Sequence, residues 1–155
     1  MQVEFSKKRD GEVVMTIVRN DGSKTWSKLR RGMEDHDLAH IAVERELNVS
    51  NGFFGLVNKG ADINDFENKE KQPTIDLESN QIEYLVNHLQ VDYRNEDGPL
   101  DILNVLADTL SNRDIPMIVG LTNDKIDKIR LSYHQMIKEL AAIEVGDKLV
   151  YKIDI

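Results

Sequence analysis

Apolar and polar residues alternate near both ends of the chain, which is the spacing of β-strands. Residues 13–18 form a run rich in β-branched side chains, and the turn sequence NDGS that follows predicts a hairpin into a strand over 24–29. Val3 and Phe5 predict a short strand before them, so the chain should begin with a three-strand meander. Residues 148–155 place alternate apolar side chains on one face and predict a last strand that joins this sheet.

Between these strands, apolar residues recur every three or four positions, which is the spacing of amphipathic helices. The predicted helices cover residues 34–48, 52–59, 78–93, 99–111 and 122–142. The N-cap candidates are Asp35, Asp97 and either Thr122 or Asn123. The pattern predicts a single α+β domain over residues 1–155, in which four to five helices pack on one face of a small antiparallel sheet.

The first predicted helix holds two of the four histidines of the chain, one helical turn apart. His36 and His40 can therefore present their imidazoles to one zinc ion or another divalent metal. The sequence HDLAH is similar to the HExxH pattern of zinc hydrolases, with Asp37 at the position of the general base. The spacing thus predicts a metal site with Asp37 as the candidate catalytic residue, although Asp is one methylene shorter than Glu.

A catalytic zinc ion usually has three protein ligands and a water molecule, so a further ligand is needed. Glu44 extends the row of ligands, but it lies about 12 Å along the axis from His36 and can share an ion only with His40. His134 lies at the edge of the apolar stripe of the last helix and is the better distant candidate. His88 falls outside the stripe of its own helix and should face solvent.

The same helix can also be explained without a metal. Asp35 could cap it, and Asp37 would interact favourably with the helix dipole in the first turn. His40 could be a half-buried core residue beside Val43 and Leu47. The sequence leaves both interpretations open.

Residues 36–66, with the sequence HDLAHIAVERELNVSNGFFGLVNKGADINDF, resemble a family of uncharacterised bacterial proteins. That family pairs an HDLxHxxVE helix with a GFFGL-type segment and a following GxDIxDF. The resemblance implies a bacterial, cytoplasmic setting and no particular reaction. It also suggests that the histidine helix and the GFFGLV segment form one structural unit.

Composition restricts the possible functions. The absence of cysteine excludes disulfide frameworks, cysteine nucleophiles and thiolate metal sites, and it fits a reducing cytoplasm. The N-terminal residues lack the apolar core of a signal peptide, and no stretch approaches the ~18 apolar residues needed to cross a bilayer. The net charge of -8 argues against nucleic-acid binding by the whole chain.

The charge is unevenly distributed, with +4 over residues 1–31 and -12 over the remainder. The basic end could bind an acidic protein partner, with Trp26 as an anchor beside Lys28, Arg30 and Arg31. Two functions from different classes therefore remain. The first choice is a cytoplasmic, non-enzymatic interaction or adaptor module that uses the N-terminal hairpin, and the alternative is a metal-dependent hydrolase on the histidine helix.

Overall fold

A computed structural model describes residues 1–30, 32–68 and 70–155 and confirms the α+β architecture. The strands are β1 (Gln2–Lys7), β2 (Val13–Val18), β3 (Lys24–Leu29) and β4 (Lys148–Lys152). The helices are α1 (Glu34–Leu47), α2 (Phe53–Asn58), α3 (Leu77–Arg94), α4 (Ile102–Ser111) and α5 (Asn123–Ala142). A short 3₁₀ helix, Ile63–Glu67, had not been predicted.

The four strands form one antiparallel sheet in the order β3-β2-β1-β4. The predicted meander is confirmed, and the last strand pairs with β1 as expected. Alternation of side chains gives the sheet one buried face, which includes Val3, Phe5, Met15, Ile17 and Tyr151. The helices cover this face, and α1 packs against both α3 and α5. Among the described residues, no helix has the length and hydropathy of a membrane span.

Side-chain hydrogen bonds explain where two helices begin. Thr122 accepts a hydrogen bond from the Lys125 N–H and caps α5, as one of the two alternatives predicted. Helix α4 starts three residues later than predicted and is capped by Asp101 instead of Asp97. The Leu100 N–H donates to the Asp92 carboxylate, which holds the chain outside the helix at this point.

The expected cap of α1 by Asp35 is wrong. The N-cap position is Met33, whose side chain makes no capping bond, and Asp35 lies inside the first turn. Helix α1 does not depend on a cap because the residues from Asp37 to Glu44 are all buried. Tertiary packing of an otherwise marginal helix therefore places His36 and His40 at their positions beside α3.

Candidate metal centre

The two histidines of α1 point at the same place. Their Nε2 atoms lie 3.2 Å apart, because one helical turn separates the residues and both rings lean toward α3. His40 is buried and His36 is half-buried. The pair predicted from the spacing is therefore present in the fold.

The outer nitrogen of each imidazole is held by a hydrogen-bond acceptor. His36 Nδ1 lies 3.1 Å from Gln90 Oε1 on α3, and His40 Nδ1 lies 3.0 Å from Glu44 Oε1. Because these oxygens accept hydrogen bonds, each Nδ1 is the donor and each Nε2 is left toward the shared space. Metal-binding histidines characteristically have such partners, which fix the tautomer and the orientation of the ring.

Glu83 on α3 supplies the third potential ligand. Its Oε2 lies 3.2 Å from His40 Nε2, and its Oε1 lies 3.8 Å from His36 Nε2. Asn87, one turn further along α3, donates a hydrogen bond to the Glu83 carboxylate at 3.1 Å. The ligand atoms of His36, His40 and Glu83 all lie within 4.8 Å of one another.

These distances fit a tetrahedral ion. Zinc binds nitrogen and carboxylate oxygen at about 2.0 to 2.2 Å, so two of its ligands are separated by roughly 3.3 Å. The separation of 3.2 Å between the two Nε2 atoms, and of 3.2 Å between His40 Nε2 and Glu83, match this value. The separation of 3.8 Å between His36 Nε2 and Glu83 Oε1 is longer and would have to shorten for all three side chains to bind one ion.

In the absence of metal, the neighbouring carboxylates favour a protonated His40. Burial lowers the pKa of His40, but hydrogen bonds to Glu44 and Glu83 and their negative charges outweigh it and raise the pKa to about 9. The hydrogen bond from His40 lowers the pKa of Glu83 to about 2 against the effect of desolvation. Burial and the neighbouring His40 lower the pKa of His36. A proton on His40 thus occupies the place that an ion would take, and metal binding must displace it.

Glu44 was a predicted metal ligand, but the structure gives it a different position. Its side chain has no exposure to solvent, and its carboxylate accepts hydrogen bonds from the N–H groups of Phe54 and Gly55 at 3.0 and 3.2 Å. It therefore joins the first turn of α2 to His40 Nδ1. The histidine helix and the GFFGLV segment thus contact each other through Glu44.

The two glycines of this segment are explained by close packing. A Cβ atom on Gly52 would lie 2.3 Å from the Glu44 carboxyl carbon, and one on Gly55 would lie 2.2 Å from the Ser50 carbonyl oxygen. Both distances are too short for any other residue type without movement of a neighbour. The GFFG sequence therefore allows the backbone to approach Glu44.

His134 is not close enough to act as the third ligand in this structure. Its ring packs against Tyr93 with a centroid distance of 4.9 Å, and it does not belong to the group formed by His36, His40 and Glu83. The reason is that α5 packs on α1 beside α3, and α3 presents Glu83 to the histidines instead. His88 is half-buried instead of solvent-facing, with Nε2 3.1 Å from Thr109 Oγ1 on α4.

A cavity of about 430 Å³ opens beside the three ligands. His36, His40 and Glu83 line it together with Asp37, the predicted catalytic residue. Asp37 is buried, and desolvation raises the pKa of its carboxyl group to about 7. A bound ion would therefore have a free coordination position facing a space that also holds a carboxyl group able to exchange protons.

Three of the predicted partner-binding residues, Trp26, Lys28 and Arg30, occupy alternate exposed positions along β3 and just beyond its end, and Lys28 and Arg30 also line the cavity beside the histidines. Trp26 is 58% exposed on β3 and packs on no other aromatic ring among the described residues. Lys28 is also exposed, but it forms an ion pair with Glu12 at 2.7 Å. Arg30 is exposed next to the end of β3, and Arg31 lies outside the described residues.

The sequence did not point to Glu83 and Gln90. Both lie on α3, seven residues apart, with Asn87 between them, so they share one face of the helix. A polar stripe at this spacing beside the apolar residues Ile82, Leu85, Val86 and Leu89 was the available signal. It could have indicated a polar contact with another helix, but only the fold shows that this contact is with His36 and His40.

Comparison of this chain with protein-family models, curated proteins and solved structures gave no match. The resemblance of residues 36–66 to an uncharacterised bacterial family therefore stays a prediction. The functional argument rests on the geometry of His36, His40, Glu83 and their surroundings.

Proposed function

We propose that this protein is a metal-dependent hydrolase that binds a divalent ion, zinc being the first choice, through His36, His40 and Glu83. The observation that supports the proposal most is the convergence of the three ligand atoms within 4.8 Å, with both Nδ1 atoms already held by other side chains. Two histidines and one glutamate form the ligand set of several zinc hydrolases. The combination also suits ferrous iron, so the choice of metal needs measurement.

The surroundings of the three ligands suit hydrolysis. A divalent ion at this position would lower the pKa of a water molecule and polarise the oxygen of a carbonyl or phosphoryl group. Asp37 lines the same cavity and is the candidate proton acceptor. In the proposed reaction, water adds across the scissile bond: its hydroxyl joins the acyl or phosphoryl centre, and its proton passes through Asp37 to the leaving group.

Metal binding tests the proposal directly. We would prepare untagged protein, remove metal with a chelator, and titrate it with zinc, manganese, cobalt and ferrous iron by calorimetry. Wild-type protein should bind one ion per chain, and His36→Ala and Glu83→Gln should weaken binding by at least about 100-fold because each removes a ligand. Glu83→Gln is suitable because the Glu83 side chain is 49% exposed, so the fold tolerates the change.

His88→Ala is the matched control, since His88 is a half-buried histidine of α3 that contacts Thr109 and is not one of the three proposed ligands. It should bind the ion as tightly as wild-type protein. If none of the four ions binds to the wild type, or if Glu83→Gln binds as tightly as the wild type, the proposed site is wrong.

The exposed Trp26 supports a second candidate function, which is docking of an acidic protein partner on the outer face of the sheet. Lys24 and Lys28 flank Trp26 on β3, and Lys148 and Lys152 lie on β4 at the opposite edge of the sheet, whereas the whole chain is acidic. Trp26 is the only tryptophan, so its fluorescence reports directly on this surface. Titration with a polyglutamate peptide should shift the emission at low salt and lose its effect at high salt, and an unchanged spectrum would contradict this function.

A further inference from the structure

The walls of the cavity beside the proposed metal site are mainly apolar. Phe53 is the part of the wall next to the ligands: its ring centroid is 5.6 Å from that of His40 and 4.6 Å from that of Phe66. Leu29, Leu56 and Ile63 extend the apolar surface. The proposed ligands and Asp37 therefore adjoin an apolar wall that favours hydrocarbon groups. Other parts of the cavity are polar and are lined by Ser27, Lys28, Arg30, Asn64, Gln72, Ser79 and Asn80.

The rim of the cavity leaves large apolar side chains in contact with water. Met33 is 45% exposed and Ile75 is 47% exposed, and both line the cavity. Exposed apolar side chains grouped around a concave site, unlike isolated ones, are typical of ligand-binding surfaces. A ligand with an apolar group would remove both from water.

The volume limits the size of the ligand. About 430 Å³ lies within the ~300 to 1,000 Å³ range of small-molecule pockets. The cavity can therefore hold a phenyl ring or a branched aliphatic chain together with the group that reacts, and it does not need a macromolecular substrate.

We infer that the substrate is a small molecule with an aromatic or branched aliphatic group directly attached to the carbonyl that is hydrolysed, so that Phe53 and Phe66 contact this group while the carbonyl oxygen faces the ion. The inference rests on the proposed metal-dependent function. It adds the substrate class, which is an apolar acyl derivative such as an amide or ester.

Hydroxamates provide the probe, because their two oxygens bind zinc while the attached group occupies the neighbouring space. Zinc uptake is measured first, and the zinc-loaded protein is then titrated with acetohydroxamate and benzohydroxamate. Burial of the phenyl ring should make benzohydroxamate bind at least about tenfold more tightly. Met33→Trp, which fills the cavity from the rim, and Ile75→Ser, which removes part of its apolar wall, should reduce this ratio.

Leu131→Trp is the control for Met33→Trp. Leu131 is 74% exposed on α5 and does not line the cavity, so this variant should keep the wild-type ratio. Zinc uptake with equal affinity for the two hydroxamates would overturn the substrate class and leave the metal site intact. A high ratio that neither Met33→Trp nor Ile75→Ser changes would also overturn it. Absence of zinc uptake would overturn the proposed function and this inference together.

Discussion

Individual side chains around the proposed metal site differ in what they can contribute. His40 is held by the charged Glu44, whereas His36 is held by the neutral amide of Gln90. A carboxylate partner makes an imidazole the more basic ligand, so His40 should bind the ion more strongly than His36. Asp37 is a different case, because its carboxyl group is buried without being one of the three ligands.

Asp37→Asn should change how stability depends on pH in metal-free protein. The folded state raises the pKa of Asp37 from 3.8 to about 7 by desolvation, so folding favours the protonated carboxyl group. Its contribution is complete below pH ~4 and is lost as pH rises through ~7. Asn cannot ionise, so the stability of the variant relative to wild type should increase by about 2 to 3 kcal/mol between pH 5 and pH 8.

Urea unfolding in the presence of a chelator at several pH values measures this difference. A stability difference between the two proteins that stays constant from pH 5 to pH 8 would show that the folded state does not raise the pKa of Asp37. Zinc binding to Asp37→Asn should be retained, since Asp37 is not one of the ligands.

At the level of helices, α1 supplies two ligands, α3 supplies one, and α2 holds the site in position through Glu44. Helix α2 is only six residues long, so its first turn depends on this external acceptor. The acceptor in turn needs space that only glycine at position 52 provides. A change in α2 should therefore affect the ion although α2 contributes no ligand.

Gly52→Ala tests this connection. The new methyl group would overlap the Glu44 carboxylate and force it away from His40 Nδ1, so zinc affinity should fall by about 10- to 100-fold, as for loss of an outer-shell partner. Thr122→Ala is a control with a comparable loss of stability, about 1 kcal/mol, because it removes the cap of α5 far along the chain. Calorimetric titration of both should show weaker zinc binding only in Gly52→Ala.

The sequence predicted most of the elements and two of the three proposed ligands. The boundaries of β2 and β3 follow from the alternation of apolar residues, the bounds of α1 from its apolar periodicity, and the start of α5 also from its Thr122 cap, since these signals act over a few residues. His36 and His40 were predictable for the same reason. Glu83 lies 43 residues beyond His40, and its contact depends on how α3 packs against α1, which no local pattern specifies.

At the scale of the whole molecule, a buried ion pair between Asp92 and Arg130 connects α3 and α5. The Asp92 carboxylate, 2% exposed, accepts hydrogen bonds from Arg130 Nε at 2.7 Å and from the Leu100 N–H at 2.6 Å. Arg130 also donates to the Leu100 carbonyl oxygen. One arginine thus joins α3, the segment before α4, and α5, and it maintains the helix layer that positions Glu83.

Arg130→Ala should lower the free energy of unfolding by about 3 to 5 kcal/mol, because it leaves the buried Asp92 charge without its partner. Lys128→Ala is the control on the same helix. Lys128 pairs with Asp124, but both side chains are more than half exposed and solvent screens the pair, so its loss should leave stability nearly unchanged. Chemical denaturation measures both, and equal effects of the two substitutions would contradict a structural role for the Asp92 pair.

The ligand set of the proposed ion can be observed directly by anomalous diffraction at the zinc absorption edge, from crystals of protein loaded with one equivalent of zinc. We expect a single peak about 2.0 to 2.2 Å from Nε2 of His36, Nε2 of His40 and a carboxylate oxygen of Glu83, with its remaining coordination position toward the cavity. No peak at this position, or a peak bound by Glu44 or His134 in place of Glu83, would contradict the account.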